Sequence, residues 1–271
     1  MMAAAGGLHA WTADGWRAVD WCDPHEGRLL VADSWRVVDG RARGVERHRA
    51  RFLRSLAAIA GAPTDAEAAV DAALEALPRA GDWFPRLELR ERGGGTALEL
   101  RVRPTPPTAS EVVVATAPHD PRTQPLVKGP DLEALQALRV AVQPRGAGEA
   151  VIVDAPGRVV EGAYSALLWW RGETLVQPAA ALARIPSVTA ALVLEAARHE
   201  GVPIASESVE PDALAGCELW VLSALHGLRV ATAWVDGPPL GEGARAARGR
   251  AWLAAAERPL YPVRGTPLLG G

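Results

Sequence analysis

The sequence predicts an α+β protein with two domains. Its first hundred residues combine a hairpin pattern, LELRERGGGTALELRVR, with two helix-like segments. A stretch rich in proline and turn residues, RPTPPTAS, comes next, and beyond it short apolar strands alternate with helical segments. We therefore expect a small α+β domain over residues 1–106, a linker and entry strand over 107–127, and a larger domain over 128–271.

The totals indicate a globular protein and argue against several classes. With 271 residues, 49% of them hydrophobic, the chain can bury a substantial core. The start, MMAAAGGLHAWTADGW, lacks a basic segment followed by an apolar one, and no apolar run approaches the roughly 18 residues that span a bilayer. Cys22 and Cys217 suggest no disulfide framework, and the histidines lack zinc-site spacing. We expect a cytoplasmic protein without metal or membrane contact.

The charge pattern has one local exception. A net charge of −3 argues against binding to nucleic acid. The stretch RARGVERHRARFLR nevertheless concentrates six arginines between residues 41 and 54. On a helix most of them would form a solvated face, but one that points inward could clamp a phosphate with two hydrogen bonds.

The elements of the small domain follow from local signals. LLVADSWRVVDG indicates a strand that runs into an Asp-Gly turn, and VERHRARFLRSLAAIAG indicates a helix closed by Gly61. Thr64 and Glu67 form a capping-box pattern for a second helix, which Pro78 stops. The hairpin alternates apolar and charged residues, so we expect one face in the core and one in water.

The larger domain begins with the buried strand EVVVATAP, the loop PHDPRTQP and a helix with Pro130 in its first turn. AVIVD, VVEGAYSALLWW and TLVQP indicate antiparallel strands. Ser187 is the expected N-cap of a helix that Gly201 ends, and CELWVLSALHGLRVATAWVDG supplies two more strands.

Lys128 is the only lysine among the 29 basic residues Lys and Arg. Arginine keeps its proton at any accessible pH, whereas a desolvated lysine can lose it and attack a carbonyl carbon. The lysine precedes a helix, where the positive end of the helix dipole favours the neutral amine. Lys128 is therefore a candidate nucleophile, although a single leftover surface residue remains the alternative.

Two further features carry chemistry. Glu161 lies inside an apolar strand, so it must face water at an edge or have a partner, because an unpaired buried carboxylate is costly. Val188 and Thr189 follow the Ser187 cap, where backbone N–H groups can bind an anion. A lysine, an acid and an anion site are the parts that hold pyridoxal phosphate: a Schiff-base amine, a partner for the pyridine nitrogen and a phosphate cradle.

The order of these motifs resembles the class IV aminotransferases, the fold-type IV pyridoxal-phosphate family, from about residue 30 to about 237. That family includes branched-chain and D-amino-acid aminotransferases and aminodeoxychorismate lyase. LLVADSWRVVDG is similar to the strand F-E-T-x-R-V-x-x-G, HRARF to H-x-x-R-L, and EAVIVDAPGRVVEG to E-x-x-x-x-D-x-x-G-x-v-x-E-g. RIPSVT is similar to l-P-G-v-T-R, and VLSALHGLRV to the loop that completes the pocket.

The resemblance implies roles for individual residues. It gives Lys128 the Schiff base with pyridoxal 5'-phosphate and Glu161 the ring nitrogen. Cofactor contacts are implied for Arg51, Val188, Thr189, Ser223 and Ala224, and substrate contacts for Ser34, Arg36, Tyr164, Leu225 and His226. It also implies a homodimer and a two-domain fold whose larger domain is built on an antiparallel β pseudo-barrel with helices.

The sequence departs from the family at the substrate pocket. Ala32, Asp33 and Ser34 replace the usual F-E-T, and Ala166 stands where asparagine is common. The favoured activity is transamination of an amino acid and 2-oxo acid pair, and the SALHG loop, similar to N-A-L in the lyases, keeps 4-amino-4-deoxychorismate cleavage open. A non-catalytic homologue is the third possibility.

Overall fold

A computed structural model of the chain describes residues 6–19 and 27–260. Cys22 and the first five residues of the N-terminal segment discussed above lie outside the described residues. The chain divides into two compact units. The first holds the described residues up to Pro106 and from Glu257 onward, and the second is Pro107–Ala256.

Seventeen strands and five α-helices make up the described part of the chain. The strands are β1 (Gly7–Thr12), β2 (Gly15–Ala18), β3 (Arg28–Ser34), β4 (Val37–Val38), β5 (Arg41–Arg43), β6 (Asp82–Trp83), β7 (Arg86–Arg92), β8 (Gly95–Val102), β9 (Glu111–Thr116), β10 (Glu149–Val153), β11 (Val159–Gly162), β12 (Ala166–Arg171), β13 (Thr174–Pro178), β14 (Ile204–Glu207), β15 (Glu218–Ser223), β16 (Gly227–Val235) and β17 (Glu257–Pro259). The helices are α1 (Val45–Ala57), α2 (Ala66–Ala76), α3 (Leu132–Val142), α4 (Val188–His199) and α5 (Ala246–Ala255).

The first unit contains two antiparallel sheets. The larger has the order β2-β1-β8-β7-β3, and α1 packs on β3 while α2 packs on β2 and β8. The smaller has the order β17-β5-β4-β6. The predicted Asp-Gly turn joins β4 to β5, with positive φ of 46° at Asp39 and 70° at Gly40. Both residue types tolerate this left-handed region, which explains why they occupy the turn.

The predicted capping box of the second helix is wrong. Helix α2 begins at Ala66 with Asp65 at its N-cap, and no side chain bonds the cap. Two other contacts account for this. The Asp65 carboxylate accepts from Trp11 Nε1 at 2.6 Å, and Glu67 accepts from Arg49 Nη2 at 2.7 Å. Both acids are thus engaged away from the helix end.

The charged face of the β7–β8 hairpin, which was predicted to contact water, is instead largely buried. Glu88 is 0% exposed and Glu99 is 3% exposed. Arg90 Nε donates to Glu88 at 2.6 Å, Arg86 pairs with the same carboxylate, and Arg92 Nη2 lies 2.7 Å from Glu99. Ion pairing across β7 and β8 lets a charged face be buried, which alternation of residue types alone does not reveal.

The second unit is built on one eight-stranded sheet in the order β11-β10-β9-β16-β15-β12-β13-β14. The sheet curls, because β11 at one edge also contacts β12 and β13. The expected antiparallel arrangement is wrong in part: the sheet is mixed, since β9 pairs in parallel with β10 and β16, and β13 pairs in parallel with β14. VVEGAYSALLWW is two strands rather than one, because a turn from Gly162 to Ser165 separates β11 from β12.

Helices cover the outside of this sheet, and an apolar core fills its inside. Strands from around the whole curl meet in the inner core, through residues such as Val151, Trp169 and Val221. Helix α3 packs on β10, and α4 packs on β12 and β15 beside α5. Pro130 lies ahead of α3 rather than in its first turn, because Leu132 N donates to Gly129 O at 3.0 Å and closes a separate turn there.

Among residues 6–19 and 27–260, no helix combines the length and the apolar character needed to cross a bilayer.

Helix α5 approaches the sheet where a glycine permits it. A Cβ atom on Gly249 would lie 2.7 Å from Trp220 and 2.5 Å from Leu228 Cδ1. We expect Gly249→Val to lower the free energy of unfolding by about 1–3 kcal/mol, because a buried tryptophan ring cannot easily move away. Urea unfolding followed by circular dichroism measures this. Ala247→Val, at an exposed position of the same helix, is the control, and equal losses in both variants would contradict the close packing.

Candidate functional site

Lys128 lies in the loop between β9 and α3 and is half-buried. The preceding part of this loop is fixed by Asp131, which flanks α3. The Asp131 carboxylate accepts from Thr123 N at 3.1 Å, from Thr123 Oγ1 at 2.7 Å and from Gln124 N at 2.9 Å. These bonds tie both sides of the lysine segment together, so Lys128 belongs to an anchored loop.

Glu161 has a partner, as the sequence required of a buried acid. Its strand β11 is an edge strand of the sheet, yet Glu161 is only 5% exposed. Arg122 Nη1 donates to Glu161 Oε1 at 2.6 Å. Burial raises the pKa of the Glu161 carboxyl to about 7, and the charge and hydrogen bond of Arg122 limit that rise.

Arg122 is a site residue that the sequence analysis missed. Its Nε and Nη2 donate to the two oxygens of Asp120 at 2.8 and 2.7 Å. Its Nη1 also donates to Ala183 O at 2.9 Å, in the turn before α4. The segment PHDPRTQP was interpreted only as a loop, and an aspartate and an arginine two residues apart, just ahead of the sole lysine, were the available signal.

Helix α4 begins as the sequence predicted. Ser187 is the N-cap, and its side chain accepts from Ala190 N at 3.2 Å, as predicted. Val188 and Thr189 are buried in the first turn, where helix geometry leaves backbone N–H groups outside the intrahelical ladder. Arg184 braces the preceding turn by donating to Ala179 O at 2.7 Å and to Pro178 O at 2.6 Å.

The β15–β16 hairpin carries Ser223, Ala224, Leu225 and His226, which are all half-buried. Ser223 Oγ accepts from His226 N at 3.2 Å, so the loop is internally braced. His226 Nδ1 accepts from Ala109 N at 3.1 Å. This bond ties the predicted pocket loop to the segment that enters the second unit.

Tyr164 connects the strand of Glu161 with the helix after Lys128. Its hydroxyl donates to Leu132 O at 3.1 Å, and the Arg139 guanidinium lies 4.9 Å from its ring centre. Tyr164 is 38% exposed. The structure thus links the segments of Lys128, Glu161 and the α4 start through contacts of Tyr164 and Arg122.

In the first unit, Asp33, His48 and Arg51 form a buried cluster. Arg51 Nε and Nη2 donate to the two oxygens of Asp33, both at 2.8 Å, and His48 Nδ1 lies 2.8 Å from Asp33 Oδ1. Burial alone would raise the pKa of the Asp33 carboxyl, but the charges and hydrogen bonds of Arg51 and His48 hold it well below its usual range. Arg51 points inward from its arginine-rich helix, and Asp33 holds one edge of its guanidinium.

The other predicted residues of this unit lie on or beside β3. Ser34 is buried, and its N–H donates to Asp33 Oδ1 at 2.8 Å. Between Ser34 and Arg36, Trp35 is buried with its ring centre 5.9 Å from that of His48. Arg36 Nε donates to Asp82 Oδ1 at 2.9 Å, and its Nη2 pairs with the other oxygen. Asp82 therefore occupies one edge of the Arg36 guanidinium.

Sequence comparison identifies the family. The profile of Amino-transferase class IV matches residues 30–234, well over half of the chain. The chain therefore belongs to the class IV aminotransferase family, as the order of its motifs indicated. A search of curated proteins found no match.

Solved aminotransferases share the fold. A branched-chain aminotransferase from the archaeon Thermoproteus uzoniensis, solved with norvaline, superposes with a TM-score of 0.80 at 18% identity, covering 95% of this chain and 100% of that chain. An aminotransferase from Brucella abortus bound to the cofactor PLP gives 0.76 at 18% identity, over 93% and 99%. A hypothetical aminotransferase from Mycobacterium tuberculosis, in its PLP-bound form, gives 0.74 at 20% identity, over 92% and 98%. The predicted α+β, fold-type IV class is confirmed.

The Asp33 cluster generates a stability prediction. Asp33→Asn should lower the free energy of unfolding by about 3–5 kcal/mol near neutral pH, because it removes the carboxylate that accepts two hydrogen bonds from the buried Arg51 cation. The depressed pKa gives the sign of the pH dependence. The contribution of Asp33 is complete above its unfolded pKa of about 3.9 and is lost as pH falls through the lower folded value. The difference in free energy of unfolding between wild type and Asp33→Asn should therefore shrink below about pH 4.

The control is Asp71→Asn, which removes an exposed partner of Arg49. Arg49 lies on α1, as Arg51 does. An exposed pair of this kind contributes roughly 0–1 kcal/mol. Denaturant titrations of both variants between neutral and acidic pH make the comparison. Similar small losses in the two variants would contradict the importance of the buried cluster.

Proposed function

We propose that this protein is a pyridoxal-phosphate-dependent aminotransferase that moves an amino group between an amino acid and a 2-oxo acid, with Lys128 as the Schiff-base residue. The observation that carries the proposal is the buried Glu161 carboxylate, held by Arg122 and tied to the turn before α4. Family membership supports the activity. The PLP-bound forms of two aminotransferases with this fold support the cofactor.

The donor groups of the second unit fit this cofactor chemically. Its pyridine nitrogen needs an acid, and Glu161 offers one that burial makes unusually basic. Its phosphate needs N–H donors, and the buried first turn of α4 at Val188 and Thr189 offers them. The Ser223 and Ala224 loop is the proposed third contact. Its aldehyde needs an amine, and Lys128 is the only lysine in the chain.

Each residue then has a defined task. When bound, pyridoxal phosphate supplies a conjugated ring that accepts electrons from the substrate carbon. Glu161 holds the proton at the ring nitrogen. The Lys128 amine takes the proton from the substrate carbon and returns it during transfer. The proposal also gives Arg51 the role of phosphate ligand.

The substrate contacts are proposed from the family resemblance. Arg36 would face the substrate carboxylate, and Ser34, Tyr164, Leu225 and His226 would shape the pocket. The Arg36–Asp82 pair implies that a substrate carboxylate must share or displace Asp82. We further propose a cytoplasmic homodimer, for which the exposed Leu126, ahead of α3, and Val140, on α3, offer apolar contacts.

A second candidate function is cleavage of 4-amino-4-deoxychorismate to pyruvate and 4-aminobenzoate. The SALHG loop at Ser223–Gly227 favours it, because it resembles the N-A-L loop of the lyases. Both reactions begin with the same bound amine and differ in what leaves. A homologue without activity is the remaining candidate, and the altered Ala32, Asp33 and Ser34 motif is its motivation.

We expect purified protein mixed with pyridoxal phosphate to show a visible absorption band. Borohydride should then trap the cofactor covalently on Lys128. Lys128→Ala should lack the band, and so should Lys128→Arg, which keeps the charge but cannot form the bond. Absorption spectra and peptide mass analysis make the test. Trapping at any other position, or an unchanged band in the variants, would refute Lys128 as the Schiff-base residue.

The products that form distinguish transamination from cleavage of aminodeoxychorismate. Loaded protein should exchange the amino group between amino acids and 2-oxoglutarate, with release of 2-oxo acid and no 4-aminobenzoate from aminodeoxychorismate. Formation of pyruvate with 4-aminobenzoate would select the lyase. Absence of both reactions in protein that shows the visible band, without borohydride treatment, would favour the non-catalytic homologue.

A further inference from the structure

The Arg122 guanidinium is unusually well anchored for a loop residue. Its side chain is 5% exposed, and each of its three nitrogens donates a hydrogen bond. Asp120 takes the Nε and Nη2 edge from two residues away, which fixes the plane of the group. Nη1 is thereby held against Glu161 Oε1. A bidentate clamp of this kind gives geometric specificity as well as energy.

Arg122 also joins three segments that are far apart in sequence. It lies six residues before Lys128, it bonds Glu161 on β11, and it bonds Ala183 O before α4. Asp131 fixes the residues that immediately follow Arg122, through Thr123 and Gln124. One side chain therefore sets the spacing between the lysine loop, the acid strand and the turn that leads into the anion site.

We propose that Arg122 is a positioning residue that fixes the orientation of the Glu161 carboxylate and favours its ionised form, so that Glu161 can hold a proton at the cofactor ring nitrogen. The inference rests on the proposed pyridoxal-phosphate function. It adds a residue to the site that acts through Glu161 rather than on the substrate.

The charges around Glu161 explain why Arg122 is needed. Burial favours the neutral carboxyl, and Arg122 and Arg184 are the cations that oppose this effect. Arg184 acts only through its charge, because its hydrogen bonds go to backbone carbonyls. Asp120 in turn balances Arg122, and His119 adds to the field at Asp120. Removal of Arg122 would leave Glu161 with a more distant cation and a stronger tendency to take up a proton.

The first measurement uses cofactor-loaded protein. Arg122→Gln should weaken binding of pyridoxal phosphate by about tenfold or more, since a charge-assisted bond to its partner acid is lost. The visible band should change with pH where the Glu161 carboxyl titrates. In the variant this change should lie at higher pH than in wild type, because a carboxyl that has lost its cation takes up a proton more readily. Arg158→Gln, which breaks a half-buried ion pair with Asp154 in the turn before β11, should behave as wild type.

The second measurement needs no cofactor. The raised pKa of Glu161 means that the folded protein binds a proton that the unfolded chain has released, so stability is lost as pH rises from about 4.3 toward about 7. The difference in stability between wild type and Glu161→Gln reports this loss. In an Arg122→Gln background, the same difference curve should move upward by about one pH unit or more.

These measurements separate the possible failures. A wild-type protein without a cofactor band refutes the proposed function, while the cofactor-free curves still test the coupling of Arg122 to Glu161. If wild type binds the cofactor and Arg122→Gln has the same affinity, pH behaviour and difference curve, the proposal is overturned. Loss of stability without any change in spectrum or curve also overturns it, because that outcome describes a purely structural arginine.

A milder variant keeps the test decisive if Arg122→Gln does not fold. Arg122→Lys retains the charge without the clamp. It should shift the band and the difference curve in the same direction as Arg122→Gln, but less. Wild-type behaviour in Arg122→Lys would count against the proposal.

Discussion

A carboxylate buried in an apolar strand must be compensated by a cation, and the pair of Glu161 and Arg122 meets this requirement in the second unit. The cost of burying either charge alone is several kcal/mol. Arg122 therefore has to approach β11, and the loop from Asp120 to Gln124 has to take the shape that brings it there. Because Lys128 and Ala183 lie on the segments fixed by the same contacts, their positions follow from this compensation.

The same solution recurs elsewhere in the chain. Asp33 is compensated by Arg51 in the first unit, and Glu149 by Arg229 in the second, with each acid at most 1% exposed. In both cases the guanidinium donates directly to the carboxylate. An arginine-rich composition thus supplies cations that keep their charge inside the protein, which an amine does not do as readily.

Much of the fold and part of the site follow from local sequence signals. The Asp39-Gly40 turn and the Ser187 cap form as predicted, because each depends on the conformational or hydrogen-bonding preference of one or two residues. Glu161 was predicted to need a partner, but Arg122 lies 39 residues away, and no local pattern encodes such a pairing. The buried face of the β7–β8 hairpin was missed for the same reason, since pairing between strands decides whether alternating charges meet water.

The position of β17 in the chain has a consequence for the order in which the protein folds during synthesis. Strand β17 pairs with β5, so Glu257 lies opposite Arg43 although all of the second unit separates them in the chain. On the ribosome, the second unit is complete before the residues that finish the four-stranded sheet of the first unit have emerged. The second unit is thus inserted within the first, and nascent β5 must wait with one edge unpaired until synthesis reaches residue 257.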